Sequence, residues 1–397
     1  MNEWKEYKLG ELIDFKLANL QTGPFGTMLN ASEYSVEGIP VIAVQDTAEN
    51  KLVYHKFVYV SQEIAERLNR YRVKENDIIF GRKGATDRRA IIKKSEEGWL
   101  QGSDCIRLRL NNSINSKFIS YQFGSNDYKE WISQFSIGAT MPSLNQDILK
   151  LLPIRLPSIE IQNIISEILN SFDDKINLLY LQNNTLVQLA ETVFKKWFVI
   201  NIDVSWKLKT LQELCTITRG ASPRPIIEYV KNGTVPWIKI ADGTASNSFF
   251  IDKTNEYIIE EGASKSVRVY PGDLILSNSA TCGFPFFIEL EGCIHDGWLL
   301  FRDFKEISKL YLFFLLKGIN SELNNYADGS VQNNLNTSIL KEYQIHVPPI
   351  NLINKFNIQV GSFIEKIKKN NRQIRTLQKL RDTLLPKLMS GEVRVKI

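Results

Sequence analysis

The chain has 397 residues, of which 43% are hydrophobic and 23% charged, with a net charge of +5. That length allows two or three domains with more than one core, and the balance is ordinary for a soluble globular protein. The opening MNEWKEYKLGEL is charged and lacks the apolar stretch of a secretory signal, and the longest apolar run, Tyr311 to Leu316, is far too short to span a bilayer. Four scattered cysteines (Cys105, Cys215, Cys282, Cys293) make no disulfide framework. A cytoplasmic protein with no membrane partner is expected. Charge is uneven: residues 1–159 carry 21 basic and 19 acidic side chains, 160–198 carry 3 and 5, 199–350 carry 14 and 17, and 351–397 carry 11 and 3. Uniform basicity is excluded, so any nucleic-acid surface must be local.

Taken in order, short apolar runs alternate with turns. Val41–Val44, Asp77–Phe80, Ala90–Ile92, Cys105–Leu110 and Leu151–Leu156 read as strands, and Ile64–Leu68, Lys117–Gly124 and Tyr128–Phe135 as short helices. From Pro157 to Trp197 the pattern changes. Ile165, Leu169, Phe172, Ile176, Leu179, Asn183, Leu186, Ala190, Val193 and Trp197 alternate spacings of four and three, the seam of a coiled coil about 60 Å long. Strands then return at Trp237–Ile240, Leu274–Leu276, Phe286–Ile288, Trp298–Arg302 and Tyr343–Val347, with helices at Lys309–Lys317 and Ser321–Tyr326. A second seam closes the chain: Phe356, Val360, Phe363, Ile367, Asn370, Ile374, Leu377, Arg381, Leu384 and Leu388.

The second half repeats the first. Sliding 157–197 forward by 191 positions places it on 348–388 without a gap, setting Phe172 on Phe363 and Ile176 on Ile367. Upstream, GIPVIAV (38–44) recurs as TVPWIKI (234–240), VKENDIIFGRKGA (73–85) as VYPGDLILSNSAT (269–281), and GATMPSLNQDILK (138–150) as GSVQNNLNTSILK (329–341). Each narrow seam needs a partner, and each copy is the obvious partner of the other. Phe172, Ile176, Leu179, Asn183 and Leu186 are expected to pair with Phe363, Ile367, Asn370, Ile374 and Leu377, the two asparagines fixing register at some cost in stability. Two repeated halves fold most simply about a pseudo-twofold axis. The expected architecture is α+β: two mixed α/β domains (1–156 and 201–347), each followed by a long helix (157–200 and 348–397), the helices pairing as an antiparallel coiled coil in a pseudo-twofold dumbbell. A turn of helix inserted between Val199 and Asp203 is expected to move the second domain outward.

No catalytic constellation is present. His55, His295 and His346 lie far apart, the cysteines lack zinc-site spacing, GRKG (81–84) and GPFG (23–26) lack the Lys-Ser/Thr of a P-loop, and a GxSxG elbow is missing. Catalytic, cofactor-binding and metal-ligating residues are therefore expected to be absent. What remains are polar loops at matching places. In the first copy Arg82, Lys83, Thr86, Arg88 and Arg89 crowd one turn, and Thr140 and Ser143 stand before a helix. Guanidinium forks there suit phosphates or guanine edges, while the bland alternative is a solvated hairpin face. In the second copy the matching turn is neutral, with Ser277, Asn278, Ser279 and Thr281. Asn333 and Asn334 precede the helix, and Arg219 and Arg224 complete the set of candidates.

The plan, with LRDTLLPKLMSGEVRV (380–395) at the end of the second helix and the IPVI, VPWI and GDLIL segments, resembles the specificity subunit of type I restriction–modification enzymes. The resemblance covers essentially the whole chain. It implies a non-catalytic DNA-binding subunit whose two target-recognition domains each read one half of a split double-stranded DNA target, with the helices as spacer and docking surface. It also implies two modification (methyltransferase) subunits and restriction (translocase and nuclease) subunits as partners, with S-adenosylmethionine, ATP and Mg on those partners and none in this chain. The competing reading from the residues alone is a coiled-coil adaptor whose globular ends bind proteins.

Overall fold

A computed structural model describes residues 4–54, 57–84, 86–136, 143–246, 248–279, 282–328, 335 and 337–395. The chain forms two compact units, Met1–Leu179 with Arg372–Ile397, and Tyr180–Asn371. Each unit holds one repeated domain and a stretch of both long helices.

In the first unit the strand Cys105–Leu110 lies at the heart of a four-stranded antiparallel sheet, ordered Ala18–Thr22, Cys105–Leu110, Ile78–Gly81, Arg89–Ile91. Successive side chains of a strand point to opposite faces. Ile78 and Phe80 accordingly join one core with Ile106, Leu108, Phe118 and Ile119, and Ile79 joins another with Ile42, Ala90 and Cys105. With both faces covered, Ile78–Gly81 is buried throughout, which is why it reads as an unbroken apolar run. A second, three-stranded sheet runs Val58–Val60, Ile39–Ile42, Leu100–Gln101. Lys5–Lys8 pairs with Pro153–Leu156 and ties the start of the domain to its end.

The second unit repeats this order with two additions. Its larger sheet runs Thr216–Arg219, Trp298–Arg302, Leu274–Ser277, Pro285–Ile288, Phe250–Ile251, and its smaller one Tyr257–Ile258, Val235–Ile238, Gly292–Ile294, Val267–Val269. Phe250–Ile251 and Val267–Val269 have no counterpart among the described strands of the first unit. Leu208–Thr210 pairs with Gln344–His346 as the closing ribbon.

Both strand–Pro segments stop for one reason. Asp46 accepts the Ala43 N–H at 2.7 Å and Asp242 accepts the Lys239 N–H at 2.8 Å, turning each chain into a short helix. The expected strands Val41–Val44 and Trp237–Ile240 therefore end at Ile42 and Ile238.

The long helices are Ile159–Lys195, continued by a wider π turn at Lys196–Ile200, and Ile350–Met389. In both units they run antiparallel. In the first, Arg381 Nη1 meets Asp173 Oδ1 at 2.6 Å while Ile165 and Leu169 share a core with Leu388. In the second, Asn370 donates to Asn183 Oδ1 at 2.8 Å, and the rings of Phe194 and Phe198 lie 5.8 and 5.2 Å from Phe356. The seam residues fall as their spacing demands: Ile176, Leu179, Asn183, Ile367, Asn370 and Ile374 are buried, and Phe172, Leu186, Phe363 and Leu377 half-buried.

Candidate nucleic-acid interface

The turns singled out in the sequence meet the pre-helix segments in space. Arg82 O accepts the Leu144 N–H at 2.8 Å, and Lys83 bridges Ser143. At the matching place in the second domain Asn278 O accepts the Leu335 N–H at 2.9 Å. Leu144 and Leu335 are both buried, so each anchors its segment against the turn. A third segment joins them, because Arg82 N–H donates to Asp104 O at 2.7 Å and Asn278 N–H to Gly297 O at 2.9 Å.

A fourth segment follows the first strand of each large sheet. Gly23 and Gly220 hold equivalent places there. A Cβ would come within 1.9 Å of Gly102 O at the first and 2.1 Å of His295 O at the second, so only glycine lets the backbones approach. Behind Gly23 comes Phe25, 51% exposed, with the Arg82 guanidinium 5.1 Å from its ring centre. Behind Gly220 comes Ser222, whose Oγ donates to Asp296 Oδ1 at 2.6 Å and holds that carboxyl below its usual range.

Around this frame the candidate side chains divide. Arg82 Nη2 bonds Asp104 at 3.0 Å, and Lys83 stands 3.6 Å from the same carboxylate. Arg88 is exposed, and its guanidinium has no bond to any described residue. In the second domain the exposed Arg219 donates to Asp296 O at 2.8 Å, and Arg224 lies 3.8 Å from the Asp296 carboxylate. Ser143 and Ser279 are half-buried at the edge of each turn. Thr140, Thr281, Asn333 and Asn334 lie outside the described residues.

Four expected reading residues are corrected by burial. Arg89 is 2% exposed: it opens a strand, donates from Nε to Ser120 O at 2.6 Å, and faces a cleft of about 630 Å³ that Tyr121, Arg155 and Arg381 also line. Thr86 is buried with its hydroxyl 3.3 Å from Ser136 Oγ. Ser277 is the last residue of a fully buried strand and accepts the Phe284 N–H at 3.0 Å. Asn278 is 1% exposed and contributes its backbone to the turn. All four side chains are buried rather than presented on the surface of the turn.

Phe25, Asp104, Ser222 and Asp296 were absent from the sequence-based set. The GPFG turn, which lacks the residues of a P-loop, sets an aromatic ring beside an arginine. Exposed guanidinium groups whose fields are shaped by one neighbouring carboxylate suit phosphate contacts, and forked donors suit base edges.

Residues 1–188 and 203–376 match the type I restriction modification DNA specificity domain. The chain belongs to that family. It is 26% identical over 308 residues to the type I restriction enzyme MjaIX specificity subunit of Methanocaldococcus jannaschii, covering 72% of this chain and 71% of that one. It is 22% identical to the HindI specificity subunit of Haemophilus influenzae, covering 99% and 100%. The fold is similar to the crystal structure of the S subunit of a type I restriction–modification system from M. genitalium, with a TM-score of 0.62 at 17% identity over 97% of this chain and 96% of that one. Two family matches in one chain coincide with the two repeated domains, each running into its long helix.

Proposed function

We propose that this chain reads a split DNA target for a type I restriction–modification complex, one half with each repeated domain, and catalyses nothing itself. The observation that carries this reading is the paired loops: in both domains a turn, a pre-helix segment and a strand approach are hydrogen-bonded together at equivalent positions. The frame is shared and the polar side chains on it differ, which is what two readers of different sequences require. The adaptor alternative predicts no such division between a shared frame and differing polar loops.

On this reading the paired helices set the distance between half-sites and dock two modification subunits. Restriction subunits complete the complex. S-adenosylmethionine, ATP and Mg then belong to those partners. No described helix is long and apolar enough to cross a membrane, and a DNA-reading role fits the cytoplasm.

The test is to map methylated bases in cells that make the modification subunits with and without this chain. A two-part target that appears only with the chain supports the reading. The same methylation pattern in both overturns it.

A further inference from the structure

Each repeated domain is bonded along the long helix that follows it. Three points along the first long helix hold the first domain. Asn115 Nδ2 donates to Ser166 Oγ at 3.0 Å, Tyr121 Oη donates to Asp173 Oδ2 at 2.7 Å, and Lys51 Nζ donates to Asn177 Oδ1 at 3.0 Å. Ser166, Asp173 and Asn177 are spaced by seven and four, so they lie on one stripe of that helix.

The second domain is held on the second long helix at the same three places, shifted by the repeat. Ser308 Oγ donates to Asn357 Oδ1 at 2.7 Å, Phe314 and Ile364 share one buried cluster, and Lys368 Nζ meets Glu289 at 2.9 Å and lies 5.4 Å from the Phe250 ring centre. Asn357, Ile364 and Lys368 stand 191 positions beyond Ser166, Asp173 and Asn177. The chemistry differs at every point: the Asn–Ser bond is matched by a Ser–Asn bond, the Tyr–Asp bond by an apolar core that holds both Ile364 and Phe314, and the Lys51–Asn177 bond by an ion pair of Lys368 with Glu289, which comes from a different segment of the domain than Lys51. The helix positions have not moved. Incidental surface contacts have no reason to keep an identical register while every pair is rewritten.

The segment that enters the second domain is held differently. Asn201 to Lys207 forms neither helix nor strand and follows the π turn that ends the first long helix. The bonds of its first part, Asn201 to Ser205, run from the Ser205 and Trp206 N–H groups to Asp203 and are internal, while its end is tied to the second domain: Trp206 O meets His346 Nδ1 at 3.2 Å, Lys207 O accepts the Val347 N–H at 2.9 Å, and Trp206 packs on the core.

We infer that these three-point clamps are positioning residues for target spacing: each recognition domain is fixed along the helix that follows it, and the segment 201–205 transmits no length. This rests on the reading of the paired helices as the spacer, and it replaces the expectation that a turn inserted between Val199 and Asp203 moves the second domain.

The experiment uses the full chain assembled with its modification subunits and reads methylated sites genome-wide. Four residues inserted between Ile202 and Asp203 are expected to leave both half-sites and their separation as they were; a longer separation overturns the inference. The triple variant Lys51→Ala, Tyr121→Phe, Ser166→Ala is expected to methylate additional targets whose separation differs by about one base pair, with the half-site bases kept. A single unchanged separation overturns the assignment of those residues. A control distinguishes failure of the spacer reading itself. One heptad added after Leu179 and one after Asn371 lengthens each helix by roughly 10 Å, about three base pairs. An unchanged separation in that control defeats the spacer reading, whatever the other variants show.

Discussion

Asp77 and Arg109 form a two-pronged ion pair, with Nε to Oδ1 at 2.7 Å and Nη2 to Oδ2 at 2.6 Å. Asp77 also accepts the Lys74 N–H at 2.7 Å, and Arg109 reaches Arg72 O at 3.3 Å. One carboxylate thus ties the turn before the strand Ile78–Gly81 to the neighbouring strand. The second domain repeats the arrangement with Asp273, Arg302, the Tyr270 N–H and Arg268 O. The arginines are similarly exposed, 31% and 38%, but Asp77 is 1% exposed and also faces the buried Arg107 at 3.9 Å, whereas Asp273 is 13% exposed.

That difference orders two substitutions. Asp77→Ala leaves Arg109 and the buried Arg107 without their carboxylate, and is expected to cost about 3 kcal/mol. Asp273→Ala removes a more exposed carboxylate that serves one arginine, and is expected to cost less, about 1 kcal/mol. Hydrogen exchange resolved by domain measures both. Equal losses contradict the role of burial.

His295 makes the second domain sensitive to acid. Burial pushes its pKa below 6.5, with Lys239 acting in the same direction and Asp296 and Asp242 against it. The Gly297 N–H donates to Nδ1 at 2.6 Å, a bond that needs the neutral ring. The unfolded ring takes up its proton near 6.5 and the folded ring only below that, so stability rises with pH across this interval. Unfolding of the second domain is expected at lower temperature at pH 5.5 than at pH 7.5, and His295→Asn should flatten the difference. A slope that survives the substitution assigns it to another group.

Asn183 and Asn370 sit in the seam at a cost. Asn370 donates to Asn183 at 2.8 Å and to Gln182 at 2.9 Å, Asn183 donates to Asn371 at 2.8 Å, and Asn371 donates to Ser248 at 3.0 Å. Asn370 Oδ1 has no partner among the described residues. A buried acceptor left unpaired costs about 1–3 kcal/mol, so leucine at both positions is expected to raise the denaturation midpoint. The same change removes a polar layer that marks register. Methylated targets of mixed separation are the expected consequence, and a uniform separation in the stabilised variant contradicts the register role.

How much of this was legible in the sequence depended on whether local spacing or distant pairing decided the structure. The seams were legible because alternating spacings of four and three have one structural meaning, and Cys105–Leu110 and Trp298–Arg302 matched their strands residue for residue. Ala18–Thr22 was not: its alternation is confined to Ala18 and Leu20, too short to mark a strand, and it is a strand because Cys105–Leu110 lies alongside it. Arg89 misled for a similar reason. Among Arg88, Lys93 and Lys94 it looks solvated, yet pairing with Phe80 turns it inward, where Ser120 O accepts its Nε–H. Ser277 and Asn278 look like a free polar turn, and the sheet buries both.

The central claim is that each domain reads its own half of the target. Arg82 and Arg88 reach solvent on the first domain's turn, so the direct measurement is genome-wide methylation by the complex carrying Arg82→Ala and Arg88→Ala. A lost base contact costs about 1–3 kcal/mol and relaxes the target at that position, whereas a lost phosphate contact weakens all sequences alike and lowers the salt dependence. Bases are expected to relax in one half-site only, with the other half-site and the separation intact. Relaxation in both half-sites, or a target and affinity unchanged at every salt concentration, would contradict the claim.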